Sequence, residues 1–414
     1  MVERVFSIER IPVRVGQPSG ATFRRYIRNG AGVVLARLDS DRVEHLQSVC
    51  ELSLQIIHYS LLAKEGWPLC RQIILAVAPR MEQLGYRAEW IHLLEASVSW
   101  ARAEQDTVAE AEMCRILGQM KRLLDSYALA ESWLEDSVAA FRLCGDARNV
   151  AVALNQLGRV RHLQYRYADA IVCVSEALTL LDTDDGERAE SHYVLGMVAL
   201  DQRRWADAED QHKLALNFRL RAGYQRTIGW SYQNLGLVCL MQSIYGERDR
   251  LLEADEWLRL AADLLECVSD PYHLALTQNN LASVQVRLGH YHKALKPYQE
   301  ASAALRSLGA QRPLAQTYNN LGLLYLRLGE PERAEDAFRD GVAVYISLGD
   351  HQSRLNTQHG IVLALLEQKR FAEAAELCER SLSEIDRLQS VPEEYEEKRK
   401  WYTESLQKAW QGIV

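Results

Sequence analysis

Three asparagines at equivalent positions carry the most regular side-chain chemistry of this 414-residue chain. Asn234, Asn280 and Asn320 each directly precede a Leu-Gly or Leu-Ala pair, and Asn155 lies one residue earlier in the same pattern. An asparagine side chain offers a hydrogen-bond donor and an acceptor, the two groups that each peptide unit of an extended ligand requires. If the asparagines share one face, the series predicts recognition of a peptide backbone. The alternative is that they cap or space helices without a ligand.

Aromatic and cationic residues accompany the asparagines. Trp230 precedes Asn234 by one helical turn, so their side chains would be neighbours on a helix. Arg159, Arg287 and Arg327 follow the small residue of their own repeat and could bind acidic side chains or a C-terminal carboxylate. Ordinary solvation of these arginines is an equally open interpretation. Together with the four asparagines, these residues form the predicted partner- or peptide-binding site.

The chain carries none of the short motifs that would indicate an enzyme. It has no phosphate-binding glycine loop, zinc-protease motif, nucleophile elbow or dinucleotide fingerprint. His290 and His292 could be read as two metal ligands, but a metal site needs three or four that converge, and no further ligand motif lies near them. We therefore predict a non-catalytic protein that uses neither a cofactor nor a metal.

Small residues at long, regular intervals indicate the elements that position this chemistry. One series of alanines recurs in steps of about forty residues: Ala130, Ala170, Ala208, Ala254, Ala294, Ala334 and Ala374. Twelve residues before four of these alanines stands a glycine: Gly118, Gly158, Gly196 and Gly322. Small residues spaced by helical turns let two helix backbones approach closely, so each unit is predicted to be a packed helical hairpin.

Bulk composition limits the possible partners. The formal net charge of −8 argues against a nucleic-acid-binding surface, which needs clustered lysine and arginine. The eight cysteines form no C-x-x-C pair and fit reduced thiols, which favours a cytoplasmic location. We find no run of apolar residues long enough to span a membrane and no leader-like N-terminal segment, so we expect no membrane contact.

Periodicity divides the chain into four predicted segments. Residues 1–40 alternate apolar and turn-forming residues and read as a short extended arm, which could make a second contact with a partner. Residues 41–67 follow the spacing of an amphipathic helix, and residues 68–385 hold about eight hairpins. Residues 386–414 read as a capping helix, because a stacked array must cover its apolar end.

One run of residues resembles a known repeat. The stretch Tyr318 to Tyr325, Tyr-Asn-Asn-Leu-Gly-Leu-Leu-Tyr, followed by Leu328-Gly329 and Ala334, is similar to a tetratricopeptide repeat (TPR). The forty-residue period resembles the long repeats of kinesin light chains, Rap-type peptide receptors and the sensor arms of STAND signalling proteins. This resemblance covers residues 68–385. It implies an all-α, right-handed TPR superhelix in which the asparagines face a concave groove that binds an extended ligand.

The same resemblance frames the predicted function. We expect a protein- or peptide-binding scaffold or adaptor, such as the sensor or regulatory subunit of a bacterial signalling or defence complex. The alternative is a Rap-like switch that changes shape when it binds a short signalling peptide. A scaffold should bury a large partner surface, whereas a switch should bind a short peptide, and the sequence alone does not choose between them.

Overall fold

A computed structural model describes residues 20–38, 46–61, 67–84, 87–246, 249–387 and 392–413. These residues form nineteen α-helices and no strand, which confirms the predicted all-α class. The helices are α1 (Gly20–Leu38), α2 (Leu46–Ser60), α3 (Trp67–Leu84), α4 (Arg87–Ala103), α5 (Thr107–Leu123), α6 (Tyr127–Leu143), α7 (Ala147–Leu163), α8 (Tyr167–Leu180), α9 (Arg188–Asp201), α10 (Trp205–Ala222), α11 (Gln225–Tyr245), α12 (Leu251–Cys267), α13 (Pro271–Arg287), α14 (Tyr291–Ser307), α15 (Gln311–Leu328), α16 (Pro331–Ser347), α17 (His351–Glu367), α18 (Phe371–Arg387) and α19 (Pro392–Ile413).

The chain forms two compact units, residues 1–109 (unit 1) and residues 110–414 (unit 2). In unit 1, α1 packs against α2 and α3, and α4 packs against α2 and α3. Unit 2 is an α-solenoid in which each helix packs mainly against its neighbours in sequence, as expected for stacked hairpins. Seven of the predicted hairpins, α5–α6 to α17–α18, lie wholly or mostly in unit 2, and α3–α4 lies in unit 1.

The small-residue register explains how the hairpins close. A β-carbon on Gly118 would lie 2.6 Å from Leu134 and 3.1 Å from the carbonyl oxygen of Ala130, so only glycine allows this approach of α5 to α6. Gly158 meets Ala170 of α8 in the same way. Ser137 adds a hydrogen bond, since its hydroxyl donates to the carbonyl oxygen of Ala111, 2.8 Å away. Close helix packing is therefore built into the repeat.

Helix starts and turns follow ordinary capping chemistry. Asp146, Asp270 and Asp350 cap α7, α13 and α17 by accepting a hydrogen bond from the backbone N–H three residues later. Gly145 and Gly349 precede two of these caps with positive φ, a conformation that glycine adopts without strain. These turns set the ends of the hairpins along the array.

The prediction of an extended arm over residues 1–40 is wrong for residues 20–38, which form α1. Ala31 and Val34 lie about one helical turn apart, and both are fully buried. Packing of α1 against α2 and α3 covers Ala31 and Val34. A short extended arm would not place both side chains on one face in this way. Residues 1–19, with the predicted second partner contact, lie outside the described residues.

The last helix covers the end of unit 2. α19 packs against α17 and α18, and its Tyr402 is fully buried. The Tyr402 hydroxyl donates a hydrogen bond to the carbonyl oxygen of Leu355 in α17, 2.8 Å away. This position fits the predicted role of a C-terminal cap, which shields the apolar face of the last hairpin.

Replacing Ala294 with leucine should lower the free energy of unfolding by about 1–3 kcal/mol, because extra methyl groups overpack a filled site. Ala294 has no exposed surface in the described structure, and neither do Ala170, Ala208 and Ala334, as predicted. Urea unfolding followed by circular dichroism measures the effect. Lys293→Leu is the matched control, because the neighbouring Lys293 is exposed. Equal midpoints for the two variants would contradict close packing at Ala294.

Candidate functional site

Six odd-numbered helices of unit 2 form a row that we call the inner row: α7, α9, α11, α13, α15 and α17. Within it α7 contacts α9, and α11, α13, α15 and α17 contact one another in succession, whereas no two even-numbered helices of unit 2 make a comparable contact among the described residues. Helices that lie closer together mark the concave side of a solenoid. All eight predicted site residues lie on helices of this row.

Asn155, on α7, is fully engaged with the next inner helix. Its amide nitrogen donates to the backbone carbonyl and the carboxyl of Glu187, both 3.3 Å away, and its carbonyl oxygen accepts from the Ser191 hydroxyl at 2.7 Å. It is 1% exposed. Asn155 therefore fixes the start of α9 against α7, the helix-spacing role that the sequence left open.

A charged cluster beside Asn155 was not predicted from the sequence. Glu190 of α9 accepts a hydrogen bond from Arg219 of α10 at 2.6 Å, and Arg219 also donates to the Ser231 hydroxyl of α11 at 2.9 Å. Arg219 is 3% exposed. Burial alone would raise the pKa of the Glu190 carboxyl, but the charges of Arg219 and Arg159 hold it below its usual range. Glu190 is therefore ionised at neutral pH.

Glu187 has the opposite electrostatics. Burial and the nearby negative charge of Glu190 raise the pKa of the Glu187 carboxyl, and Asn155 and Arg115 only partly oppose that rise. Burial lowers the pKa of Arg115 on α5, and its Nε has no hydrogen-bond partner among the described residues. The structure thus brings two carboxyl groups with different proton affinities to one stretch of the inner row.

Arg159, one of the predicted site residues, lies in the same cluster. It is half-buried, and its guanidinium stands 4.9 Å from the centre of the Tyr193 ring. The guanidinium of Arg219 also approaches the Tyr193 ring, at 5.9 Å from its centre. An arginine over an aromatic face is held there by cation–π attraction.

Trp230, on α11, is held in place by contacts with Asp270 and His273 at the start of α13. Its indole N–H donates to the carboxylate of Asp270 at 3.0 Å, and its ring lies 4.4 Å from the His273 ring. Arg226 donates to the same carboxylate at 2.7 Å. Asp270 is fully buried, and although burial opposes ionisation, His273 and Arg226 hold the pKa of its carboxyl far below the usual range. Trp230 is therefore a fixed, half-buried aromatic surface on the inner row.

The asparagines of neighbouring repeats form a ladder. The side-chain amide of Asn320 donates to the side-chain Oδ1 of Asn279 at 3.2 Å, and the side-chain amide of Asn279 donates to the Oδ1 of Asn280 at 3.5 Å. The side-chain nitrogen of Asn280 and the side-chain oxygen of Asn320 have no hydrogen-bond partner among the described residues. Asn234 is 8% exposed, and no described residue bonds to its side chain. Asn279 therefore bridges Asn280 on its own helix and Asn320 on the next inner helix.

Arg287 and Arg327 stand apart from these contacts. Both are exposed near the C-terminal ends of α13 and α15, and neither forms an ion pair among the described residues. The structure therefore leaves their charges open to solvent or to a ligand. It does not join them to the cluster around Glu190.

The described residues lack the features of a metal site and of a membrane span. They contain no group of three or more histidine, cysteine, aspartate or glutamate side chains placed to hold a metal ion. His290 instead bonds to Gln285 in its own hairpin, 3.0 Å away. No described helix is both long enough and apolar enough to cross a membrane. Of the eight cysteines, Cys144 and Cys267 are exposed and the other six are buried.

Comparison with known proteins supports the repeat assignment. Residues 313–383 match the family model of the tetratricopeptide repeat. The fold is similar to a Rap protein in complex with competence and sporulation factor, with a TM-score of 0.54 and 12% identity over 94% of this chain and 99% of that chain. It is also similar to a signal transduction ATPase with numerous domains (STAND) protein with a tetratricopeptide repeat sensor from Pyrococcus horikoshii, with a TM-score of 0.52 and 12% identity.

That second match covers 82% of this chain and 52% of the other, so the chain spans about half the length of the STAND protein. None of the curated proteins compared matches the sequence. At 12% identity these likenesses show the fold alone. They confirm the predicted tetratricopeptide-repeat α-solenoid.

Proposed function

We propose that this tetratricopeptide-repeat chain binds an extended segment of a protein or peptide along the inner row of unit 2, without catalysing a reaction. The observation that carries the proposal is the ladder of Asn279, Asn280 and Asn320. It leaves one amide donor and one carbonyl acceptor without a partner in the described structure, on helices that line a concave face. These are the two groups that a peptide unit of an extended ligand would satisfy.

The flanking residues suit the side chains of such a ligand. Trp230 offers a fixed aromatic surface one helical turn from Asn234. Arg159, Arg287 and Arg327 offer positive charge to acidic side chains or a terminal carboxylate. Asn155 contributes indirectly, because its contacts with Glu187 and Ser191 hold α9 in place. In peptide recognition, hydrogen bonds to the backbone of the ligand usually supply affinity, and contacts with its side chains supply specificity. The asparagine ladder suits the first role and the flanking residues suit the second.

A regulatory role in bacterial signalling or defence, in the cytoplasm, is the wider setting that we propose. The similar Rap protein was crystallised with competence and sporulation factor, and the similar STAND protein carries its repeats as a sensor. A sensor of this kind needs a ligand site and no catalytic motif, which agrees with the sequence. A short signalling peptide that changes the shape of the array is the second candidate, favoured by the long-range contact described in the next subsection.

Selection of a random-peptide phage library on the folded chain, followed by fluorescence anisotropy with the enriched peptide, tests the groove. Changing Asn234, Asn280 and Asn320 together to alanine should weaken binding by about two orders of magnitude, because each lost hydrogen bond contributes about 0.5–1.5 kcal/mol. The melting temperature should stay nearly unchanged. Asn217→Ala on the outer helix α10 is the matched control and should bind as the parent does. Equal affinity for the triple variant and the parent would eliminate the ladder as the site.

A further inference from the structure

Unit 2 contains a contact between hairpins that are far apart in the array. Arg312, near the start of α15, has its Nε 3.6 Å from a carboxylate oxygen of Asp125, in the turn between α5 and α6. The Arg312 side chain is 27% exposed and that of Asp125 is 15% exposed. Five hairpin steps separate the two residues, so stacking of neighbouring repeats does not account for this ion pair.

A repeated motif explains one contact of Arg312 but not this one. The second residue of several inner helices is an arginine that pairs with an aspartate just before the next inner helix. Arg148 pairs with Asp185, and Arg312 pairs with Asp350 in the corresponding way. Among the described residues, Arg148 forms no ion pair besides the one with Asp185, whereas Arg312 also reaches Asp125. The second contact is therefore specific to this part of the array.

Tyrosines extend the contact on both sides. The Tyr127 hydroxyl donates to Asp125 at 2.6 Å. Burial and that bond raise its pKa, and the positive charge of Arg312 opposes the rise. Burial and then the charge of Asp350 raise the pKa of Tyr345 to about 12, with a smaller effect from Tyr165 in the turn between α7 and α8. The hairpin turn of Asp125 thus lies beside the loop before α15, and we call this contact the seam.

The topology gives the seam its meaning. Turns within hairpins, such as that of Asp125, lie along one edge of a ribbon of hairpins, and loops between hairpins, such as that before Arg312, lie along the other edge. Contact between opposite edges requires the ribbon to complete a turn of its superhelix so that successive turns stack. We propose that the seam, centred on Arg312, closes the side opening between those turns and leaves the inner row reachable mainly along the superhelix axis.

A closed side wall limits the width of what can reach the inner row. An extended chain passes along the axis of such a tube, whereas a bulky molecule needs the seam to open. The seam is polar and partly exposed, so its opening involves separation of an ion pair and a few tyrosine contacts rather than loss of a core. Because it is defined by contacts within the chain, it holds whether or not the inner row binds a peptide.

Spin-label distance measurements test whether the seam closes. Labels at Leu124→Cys and Gln311→Cys, two exposed positions beside the contact, are placed in a background with Cys144→Ser and Cys267→Ser. The parent should give a short, narrow distance distribution. Asp125→Asn, which keeps the pair between Arg312 and Asp350, should shift it to longer distances, and Arg148→Gln should leave it unchanged. A long distance in the parent, or no change with Asp125→Asn, would overturn the proposal.

A size-dependent labelling experiment tests the consequence. A single cysteine at Asn280 on the inner row, in the same serine background, is reacted with N-ethylmaleimide and with a bulky polyethylene-glycol maleimide. The ratio of the small-reagent rate to the bulky-reagent rate should fall about fivefold in Asp125→Asn, the factor that corresponds to about 1 kcal/mol of seam opening. An unchanged ratio with a circular dichroism spectrum like the parent's would show that the seam does not restrict access. Neither experiment uses a peptide ligand, so failure here is distinct from failure of the groove proposal.

Discussion

Acidification from pH 6.5 to pH 4 is expected to lower the free energy of unfolding by about 3 kcal/mol through His212 alone. His212 is 1% exposed, and neither ring nitrogen has a hydrogen-bond partner among the described residues. Burial, and to a smaller extent the charge of Arg219, lowers its pKa from 6.5 to about 3. The unfolded chain therefore takes up the proton first as the pH falls. Stability from this residue is complete above pH 6.5 and is lost as the pH falls toward 3.

The repeat itself supplies the variant that tests this effect. Leu134, Val174 and Phe338 follow their own repeat glycine at the same distance as His212 follows Gly196, so this core position is apolar in those repeats. His212→Phe should keep the stability at pH 7 and remove the acid-dependent loss of about 3 kcal/mol. Urea unfolding at pH 7 and pH 4 measures both quantities.

Other titrating groups are common to parent and variant, so the difference between the two proteins isolates His212. His359, whose pKa burial lowers to about 4, contributes the same acid lability to both. The exposed His292, changed to phenylalanine, is the matched control and should behave as the parent does at both pH values. The same acid-induced loss in His212→Phe and in the parent would refute the assignment.

Replacing Arg219 with methionine is expected to destabilise unit 2 by about 3–5 kcal/mol, the usual cost of leaving a buried charge without its partner. Arg219 is the residue that donates to Glu190 and Ser231 and joins α9, α10 and α11. Without it, the pKa of the Glu190 carboxyl should rise, because burial would no longer be opposed by the nearest positive charge. The variant should therefore recover part of its stability as the pH falls.

Two further variants separate charge from packing. Arg221, on the same helix as Arg219, pairs with Asp184, and the two side chains are 57% and 78% exposed. Arg221→Met should therefore change the free energy of unfolding by about 0–1 kcal/mol. Glu190→Gln in the Arg219→Met background should restore much of the loss, because it removes the unpaired charge. Thermal unfolding of the parent, Arg219→Met, Glu190→Gln and the double variant gives the coupling energy between the two residues. A double variant as unstable as Arg219→Met would show that packing, not charge, dominates.

The hairpins were predictable because their determinants are local. Gly118 and Ala130 are twelve residues apart and make the contact that their sizes imply, and this spacing is visible in the sequence. Placement of the asparagines on the inner row followed from the same register. The prediction of an extended arm failed because the short apolar stretch around Val34 fits both the period of a strand and the period of a helix. Only its packing against α2 and α3 shows that it is helical.

The charged cluster and the seam were not predictable, because their partners are chosen by the packing of separate helices. Nothing near Arg219 in the sequence identifies Glu190 as its partner, and the pair becomes evident only when α9 and α10 are packed. Asp125 and Arg312 are farther apart still. His212 is different, since comparison of equivalent positions would have identified a histidine where Leu134, Val174 and Phe338 stand.

The separation between Asp125 and Arg312 also bears on how the protein is made. A hairpin that packs mainly on its sequence neighbours can fold soon after it leaves the ribosome, so the array can be completed from its N-terminal end during synthesis. The ion pair between Asp125 and Arg312 can form only after α15 has been translated. Until then both edges of the ribbon of hairpins remain unstacked in the nascent chain. A chaperone that recognises such edges could bind them during synthesis but not in the finished protein.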